Sequence, residues 1–223
     1  MIRSPGFFLL LLAACVMAAC APTRFVEPVS EGHTNVTVAL GGPLFDFAGT
    51  TIPMPLTSIA AGYGYTDKLT FFGGLQTTSL LFDDLQLDLG GLQELLPQSE
   101  LRPAISVAPI ANLLLAFRDG SFRIWPEADI NFYWHYGTNG NLIYLTSSNW
   151  FDFTSHRADN EPQTGHWFSN IAIGHRFEGE HWQYITELKY LEAGLPNTPN
   201  AVGYHGVDGH GAFGIYLGLT RKF

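Results

Sequence analysis

The sequence predicts an all-β fold, an antiparallel transmembrane β-barrel of about ten strands. The first observation is composition: the 223 residues are 46% hydrophobic and 14% aromatic but only 14% charged, against roughly 25% charged in soluble domains. The second is a two-residue alternation of apolar and polar side chains that recurs from His33 onward. The aromatic content excludes a disordered chain. The net charge of -9 disfavours nucleic acid as a partner.

The first nineteen residues have the anatomy of an export signal. Arg3 precedes an apolar run from Phe7 to Ala14 that continues to Ala19, and this run is too short for a spanning helix with normal flanks. Residues 1–19 are therefore predicted to be a cleaved signal peptide. One of the two cysteines, Cys15, lies in this leader, so no intramolecular disulfide is expected in the mature chain.

Cys20 follows Met17, Ala18 and Ala19, and these four residues resemble the lipobox of bacterial lipoproteins. The resemblance implies that Cys20 is acylated and becomes the mature N-terminus, which would give a lipid anchor. The alternative is an ordinary signal peptide beside an incidental cysteine. On the first interpretation residues 20–32 form an acylated linker, and residues 33–223 form the barrel.

Two segments show the alternation most clearly. Ser121–Tyr136 has apolar residues at most even positions and polar residues at most odd ones, and Gly211–Phe223 alternates likewise. Eight further strands complete the predicted ten: Asn35–Leu40, Met54–Tyr65, Leu69–Leu80, Leu85–Leu95, Arg102–Phe117, Leu142–Phe153, His166–Phe177 and Trp182–Ala193. If Leu85–Leu95 were a helix or loop, parity would leave eight strands.

A soluble β-sandwich also alternates, so the composition of the polar face must decide between the two folds. Here that face is dominated by Gly, Ala, Ser, Thr and Asn, with few charges of mixed sign, which favours a packed lumen over a water-exposed sheet. Aromatic residues near strand ends, among them Trp134, Trp150 and Trp182, are typical of the girdles of a membrane barrel. A paired polar network is expected in the lumen: Asp88, Glu94, Arg123, Glu127, Asp129, Arg176, Glu187 and Lys189.

The end of the chain, Gly214–Phe223, resembles the closing strand of bacterial outer-membrane β-barrels. Ile215, Leu217, Leu219 and Phe223 occupy the matching positions. The resemblance implies a location in the bacterial outer membrane, contact with outer-membrane lipids, and recognition of these four residues by the barrel-assembly machinery. With Phe223 on the periplasmic side, the short connections fall there, and the two longest connections fall outside.

No catalytic residue, cofactor or metal site is predicted. Glu127 and Asp129 could form a catalytic pair, but a structural network accounts for them more simply. A metal could be bound by four residues of one loop, but a solvated loop is the simpler interpretation: Tyr204, His205, Asp208 and His210. The expected role is structural or surface-interacting, through the loops Thr154–Gly165 and Gly194–His210 and with an unspecified ligand. Two alternatives stay open, an enzyme acting on outer-membrane lipid and a narrow channel.

Overall fold

The computed structural model describes residues 25–156, 162–163, 165–197 and 203–223. The signal peptide and Cys20 lie outside these residues. The strands of the described part are β1 (Thr34–Phe47), β2 (Thr50–Pro53), β3 (Leu56–Thr66), β4 (Leu69–Gln76), β5 (Asp84–Leu96), β6 (Ala104–Ala116), β7 (Phe122–Tyr136), β8 (Asn141–Phe151), β9 (Trp167–Glu178), β10 (Trp182–Pro196) and β11 (His210–Lys222).

All strands except β2 form one closed antiparallel barrel. Neighbours in the wall follow the chain order, and β11 pairs with β1 from Asn35↔Lys222 to Pro43↔Gly214. The predicted fold class and the count of ten strands are confirmed. Leu85–Leu95 is a wall strand, so the alternative with eight strands is wrong.

The two faces of the wall are those that the alternation predicts. On β11, Tyr216 is fully buried while its neighbour Leu217 is 52% exposed. On β7, Asn131 is fully buried and Ile130 is exposed. Apolar side chains therefore cover the outside of the barrel and polar or small ones line the lumen, the arrangement that a lipid-facing wall needs. Trp150 departs from its predicted place in a girdle, because its side chain is buried in the lumen.

The connections at the two ends of the barrel differ in length. Asp67–Lys68 and residues 97–103, 137–140 and 179–181 join strands at one end, which also holds Phe223 and is called here the short-turn end. Residues 48–55, 77–83, 117–121, 152–166 and 197–209 connect strands at the opposite, long-loop end. The predicted asymmetry is therefore present.

Two predicted strand bounds need correction. β1 does not stop at Leu40 but continues to Phe47 and pairs there with β2. β4 ends at Gln76 rather than Leu80, because Ser79–Phe82 forms a 3-10 turn that closes with Asp83 in the left-handed conformation, at φ 64°. Within the described residues, no helix is long and apolar enough to cross a membrane.

The segment before β1 is not a free linker where the structure describes it. Phe25, Val26 and Val29 are buried against the inner wall, in contact with residues of β3, β4, β6 and β7. Residues 25–32, called here the N-terminal segment, therefore occupy the lumen at the short-turn end. The physical reason is the three apolar side chains, whose burial is favourable.

Candidate functional site

Large side chains from one row of paired positions project into the lumen, in a line that runs from near the short-turn end on β7 to the middle of β11. Tyr133 pairs with Tyr144, Tyr144 with Gly174, Gly174 with Glu187, and Glu187 with Tyr216. The three tyrosines are at most 2% exposed. A side chain at Gly174 would overlap the Tyr144 ring, so the glycine is what lets that ring extend across the lumen. These five positions are called here the central row.

Hydrogen bonds fix the central row to its surroundings. The Tyr144 hydroxyl donates to Glu187 Oε2 over 2.7 Å, and Lys189 Nζ lies 3.5 Å from Glu187 Oε1. Glu187 is 3% exposed. A buried carboxylate needs such partners because an uncompensated charge in a low-dielectric interior is costly.

A second hydrogen-bond chain links the wall to the N-terminal segment. Thr146 Oγ1 donates to Asn131 Oδ1 (2.7 Å), Asn131 Nδ2 to Ser106 Oγ (3.1 Å), and Ser106 Oγ to the carbonyl of Val26 (2.7 Å). All three side chains are buried. The wall therefore presents a buried hydroxyl donor to the Val26 carbonyl of the N-terminal segment.

The eight residues predicted as one lumen network lie at several depths. Lys189 and Glu187 form an ion pair in the middle, and Asp88 and Asp129 are buried inward residues. Glu127 accepts hydrogen bonds from Asn112 Nδ2 (2.8 Å) and Ser148 Oγ (2.6 Å). Glu94 accepts from the Tyr133 hydroxyl (2.8 Å). Arg176 lies near the short-turn end, and Arg123, close to the start of β7, lies near the long-loop end.

Five charged or ionisable side chains alternate in sign across the short-turn mouth. Glu27 Oε1 lies 2.7 Å from His135 Nε2, and Glu27 Oε2 lies 2.5 Å from Arg176 Nη2. Arg176 Nε then lies 3.2 Å from Glu178 Oε2, and Lys222 Nζ lies 2.5 Å from Glu178 Oε1. The carboxylate of the N-terminal segment is thus inserted between two basic groups of the wall.

Glu27 precedes the first strand of the barrel, and its pKa is lowered in this setting. Burial raises the pKa, but the hydrogen bond from His135 and the charge of Arg176 outweigh burial and lower the pKa from 4.5 to about 2. Glu27 is therefore ionised over the whole physiological pH range.

Backbone contacts complete the docking of the N-terminal segment. The Val29 N–H donates to Thr70 Oγ1 over 2.7 Å, and the Gly32 N–H donates to the Gly64 carbonyl over 2.9 Å. Gly64 is needed here because a Cβ atom would overlap the carbonyl oxygens of Val29 and Ser30. A cavity of about 340 Å³ remains beside the segment, lined among others by Arg176, Gln183 and Lys222.

The described part of the long-loop end contains a segment that packs against β1. Gly203–His205 runs alongside the outer part of β1, with hydrogen bonds from Asp46 N to Gly203 O (3.1 Å) and from His205 N to Leu44 O (3.0 Å). Tyr204 packs on buried Phe45, Met54, Leu191 and Ala212. On the surface, His205 Nε2 lies 2.7 Å from Asp46 Oδ1 and 3.1 Å from Thr51 Oγ1.

The residues considered for metal binding do not converge. His205 contacts Asp46, whereas His210 Nδ1 lies 2.9 Å from the Asp208 carbonyl of its own loop. Across the described ranges, no set of three His, Cys, Asp or Glu side chains is arranged to hold a metal ion. Parts of both long loops, residues 157–161, 164 and 198–202, lie outside the described residues.

Of the five side chains at the short-turn mouth, the predicted lumen network contains only Arg176. The sequence predictions place Glu27 in a linker and do not include Glu178 or Lys222 in the network. The available signal was the apolar character of Phe25, Val26 and Val29 in a stretch predicted to be solvated. Three such residues within five positions indicate a packed segment rather than a tether.

No protein-family model and no curated protein matches the sequence. Among solved structures, the translocator domain of the autotransporter NalP from Neisseria meningitidis superposes with a TM-score of 0.51 at 9% identity, covering 99% of this chain and 97% of that one. The COG4313 outer membrane channel from Pseudomonas putida F1 gives a TM-score of 0.48 at 12% identity, covering 91% and 99%. The chain therefore has the fold of bacterial outer-membrane β-barrels.

Proposed function

We propose that the protein is an integral outer-membrane β-barrel that acts through the surface at its long-loop end rather than by conducting solutes through its lumen. In this orientation the short-turn end faces the periplasm and the long-loop end faces outward, as in barrels of this architecture. The role is structural or surface-interacting.

The observation that carries the proposal is the burial of the central row. Tyr133, Tyr144 and Tyr216 project into the lumen, and water reaches at most 2% of any of them while the N-terminal segment is docked. Of the three, Tyr133 and Tyr144 pack in one cluster with Val26 of that segment. A continuous aqueous passage would leave inward side chains at that depth accessible. Small barrels are commonly filled by their own side chains in this way.

The long-loop end supports the second half of the proposal. Gly203–His205 is bonded to β1, and the Asp46–His205–Thr51 contacts hold the outer hairpin against it. A partner would meet a preorganised surface there, which lowers the entropic cost of binding. The described ends of the other long loop, residues 152–156 and 165–166, lie at the same end.

Planar-bilayer recording of the full-length mature protein tests this function. We expect no stepwise conductance at neutral pH, because the central row separates the two ends. Reproducible ohmic steps would favour the narrow channel instead.

Cysteine labelling tests the orientation. Asp208→Cys on the long-loop end should react with a membrane-impermeant maleimide added to intact cells, and Glu180→Cys on the short-turn end should react only after the cells are broken. Cys20 is kept in both variants, because the proposed lipobox is processed at this residue and an acylated Cys20 thiol cannot react with maleimide. The parent protein is the blank. The reverse labelling pattern would contradict the orientation.

We also propose that Cys20 is acylated. It precedes Phe25 by five residues, which span at most about 18 Å when extended, so the anchor would lie close to the mouth in which the N-terminal segment docks. Intact-mass analysis of the mature chain should give a mass that exceeds the peptide by a diacylglyceryl group or more. An unmodified Cys20, or cleavage elsewhere, would contradict the lipid anchor.

The four C-terminal residues Ile215, Leu217, Leu219 and Phe223 are proposed to be the assembly signal. Removing Phe223 should reduce insertion in cells strongly while leaving refolding of the urea-denatured chain into vesicles largely intact. Equal losses in the two assays would indicate a purely structural role for Phe223.

A further inference from the structure

Two consecutive cations at the end of β11 lie on opposite faces of the wall. Lys222 faces the mouth, where Nζ lies 2.5 Å from Glu178 Oε1 and 2.7 Å from the Gly179 carbonyl. Arg221 shares the outward face with Ile215 and Leu217, since side chains alternate along a strand. The charge of Lys222 is therefore compensated inside the barrel, and that of Arg221 stands on the outer wall.

Two aromatic rings hold the Arg221 guanidinium. Its Cζ lies 5.2 Å from the centroid of the Trp182 ring, on the strand directly opposite, and 5.6 Å from that of Phe223. Among the residues that the structure describes, no carboxylate forms an ion pair with it. Rings that stack on a guanidinium cover its faces and leave its N–H edge free for an acceptor.

The surroundings of Arg221 indicate its depth in the membrane. Tyr136, Phe177 and Tyr184 are each 44% to 56% exposed on the same outer surface, close to the short-turn end. Tyrosine side chains, which join an apolar ring to a polar hydroxyl, concentrate where the hydrocarbon meets the lipid headgroups. Phospholipids carry their phosphate at this depth, and a guanidinium recognises phosphate through two parallel N–H···O bonds.

We propose that Arg221, oriented by Trp182 and Phe223, binds the phosphate of one phospholipid headgroup in the leaflet at the short-turn end. The site would fix one lipid against the seam where β11 closes on β1. This inference rests on the proposed membrane location, and it is independent of whether the lumen conducts.

Native mass spectrometry of the mature full chain, titrated with phosphatidylglycerol in detergent, tests the site. Arg221→Gln should weaken the tightest lipid adduct about tenfold, because it removes a charge-assisted bidentate contact. Arg118→Gln is the matched control, since Arg118 lies at the long-loop end and is paired with Asp83 over 3.0 Å. That control should bind as the parent protein does.

A second variant and two further ligands complete the experiment. Trp182→Leu keeps an apolar side chain but removes the ring, and should weaken binding of phosphatidylglycerol less than Arg221→Gln does. Diacylglycerol, which has the tails without the phosphate, should not form the adduct, and millimolar inorganic phosphate should not displace the lipid. Parent-like affinity in both Arg221→Gln and Trp182→Leu, equal binding of diacylglycerol, or displacement by free phosphate would each overturn the proposal. A conducting channel in the bilayer recording would contradict only the proposed function.

Discussion

The lumen is closed twice, and the two closures differ in what they are made of. The central row belongs to the wall itself, so its side chains come together only when neighbouring strands pair, and Tyr133 and Tyr144 also pack with Val26 of the N-terminal segment. At the short-turn end the closing element is the N-terminal segment, which is held by side-chain contacts and a few backbone hydrogen bonds. The first closure is therefore part of the barrel's global stability, and the second is a local docking equilibrium.

The largest expected effect is in the central row. Glu187→Ala removes the acceptor of the Tyr144 hydroxyl and the carboxylate that lies 3.5 Å from the buried Lys189 ammonium, so the free energy of unfolding should fall by about 3–5 kcal/mol. Urea unfolding in lipid vesicles measures it. Glu180→Gln, at a carboxylate whose side chain is 88% exposed, should stay within about 0.5 kcal/mol. Similar losses of unfolding free energy in Glu187→Ala and Glu180→Gln would contradict the assignment of the central row to the barrel's global stability.

The mouth should respond to Glu27→Gln without a comparable loss of global stability. The variant removes a carboxylate bonded to His135 and Arg176, so docking should weaken by about 1.5–3 kcal/mol. Amide hydrogen exchange at Val29, whose N–H bonds to Thr70, should accelerate accordingly. Glu31→Gln, on the same segment, is the control and should leave Val29 protected.

A matched pair of glycine substitutions should separate the two closures. Gly174→Ala forces a methyl group into the Tyr144 ring and should lower the free energy of barrel unfolding by about 1–3 kcal/mol. Gly64→Ala meets only the backbone of Val29 and Ser30, so it should expel the N-terminal segment while the barrel keeps its urea midpoint. Hydrogen exchange at Val29 measures docking of the N-terminal segment, and urea unfolding measures stability of the barrel. A lower urea midpoint for Gly64→Ala with an unchanged midpoint for Gly174→Ala would contradict the distinction between the two closures.

The smallest expected effect is a pH dependence confined to the mouth. Because the docked pKa of Glu27, about 2, is below the ordinary 4.5, its contribution to docking is complete above pH 4.5 and is lost as the pH falls from 4.5 to 2. Protonated Glu27 would leave His135 and Arg176 facing each other. Exchange at Val29, corrected for its intrinsic rate, should already have risen about tenfold by pH 3.5, one unit below the ordinary pKa, and Glu27→Gln should abolish the rise.

The wall could be predicted from the sequence because its two faces meet different surroundings. β7 and β11 alternate over their whole length, so their inward and outward residues could be assigned without knowing their neighbours. The alternation predicts β1 only as far as Leu40, whereas the strand continues through Gly41, Gly42 and Pro43 to Phe47. Gly41 lets the backbone of β1 approach Tyr216 closely, where a side chain would overlap β11.

The contents of the lumen could not be predicted in the same way. Which inward charges meet depends on the register between strands, and the ion pair of Arg176 with Glu27 joins residues 149 positions apart. The N-terminal segment has no periodicity of its own, since it contains eight residues and one proline. Its docking site exists only after at least four strands have closed around it.

The proposed function depends on closure of the lumen by side chains of the wall. The most direct measurement is planar-bilayer conductance of a chain that lacks residues 25–32, beside the full-length protein. Neither should conduct, because Tyr133, Tyr144 and Tyr216 are supplied by the wall strands β7, β8 and β11. Stable ohmic steps that appear on deletion would show that the segment was the closing element, and would contradict the account.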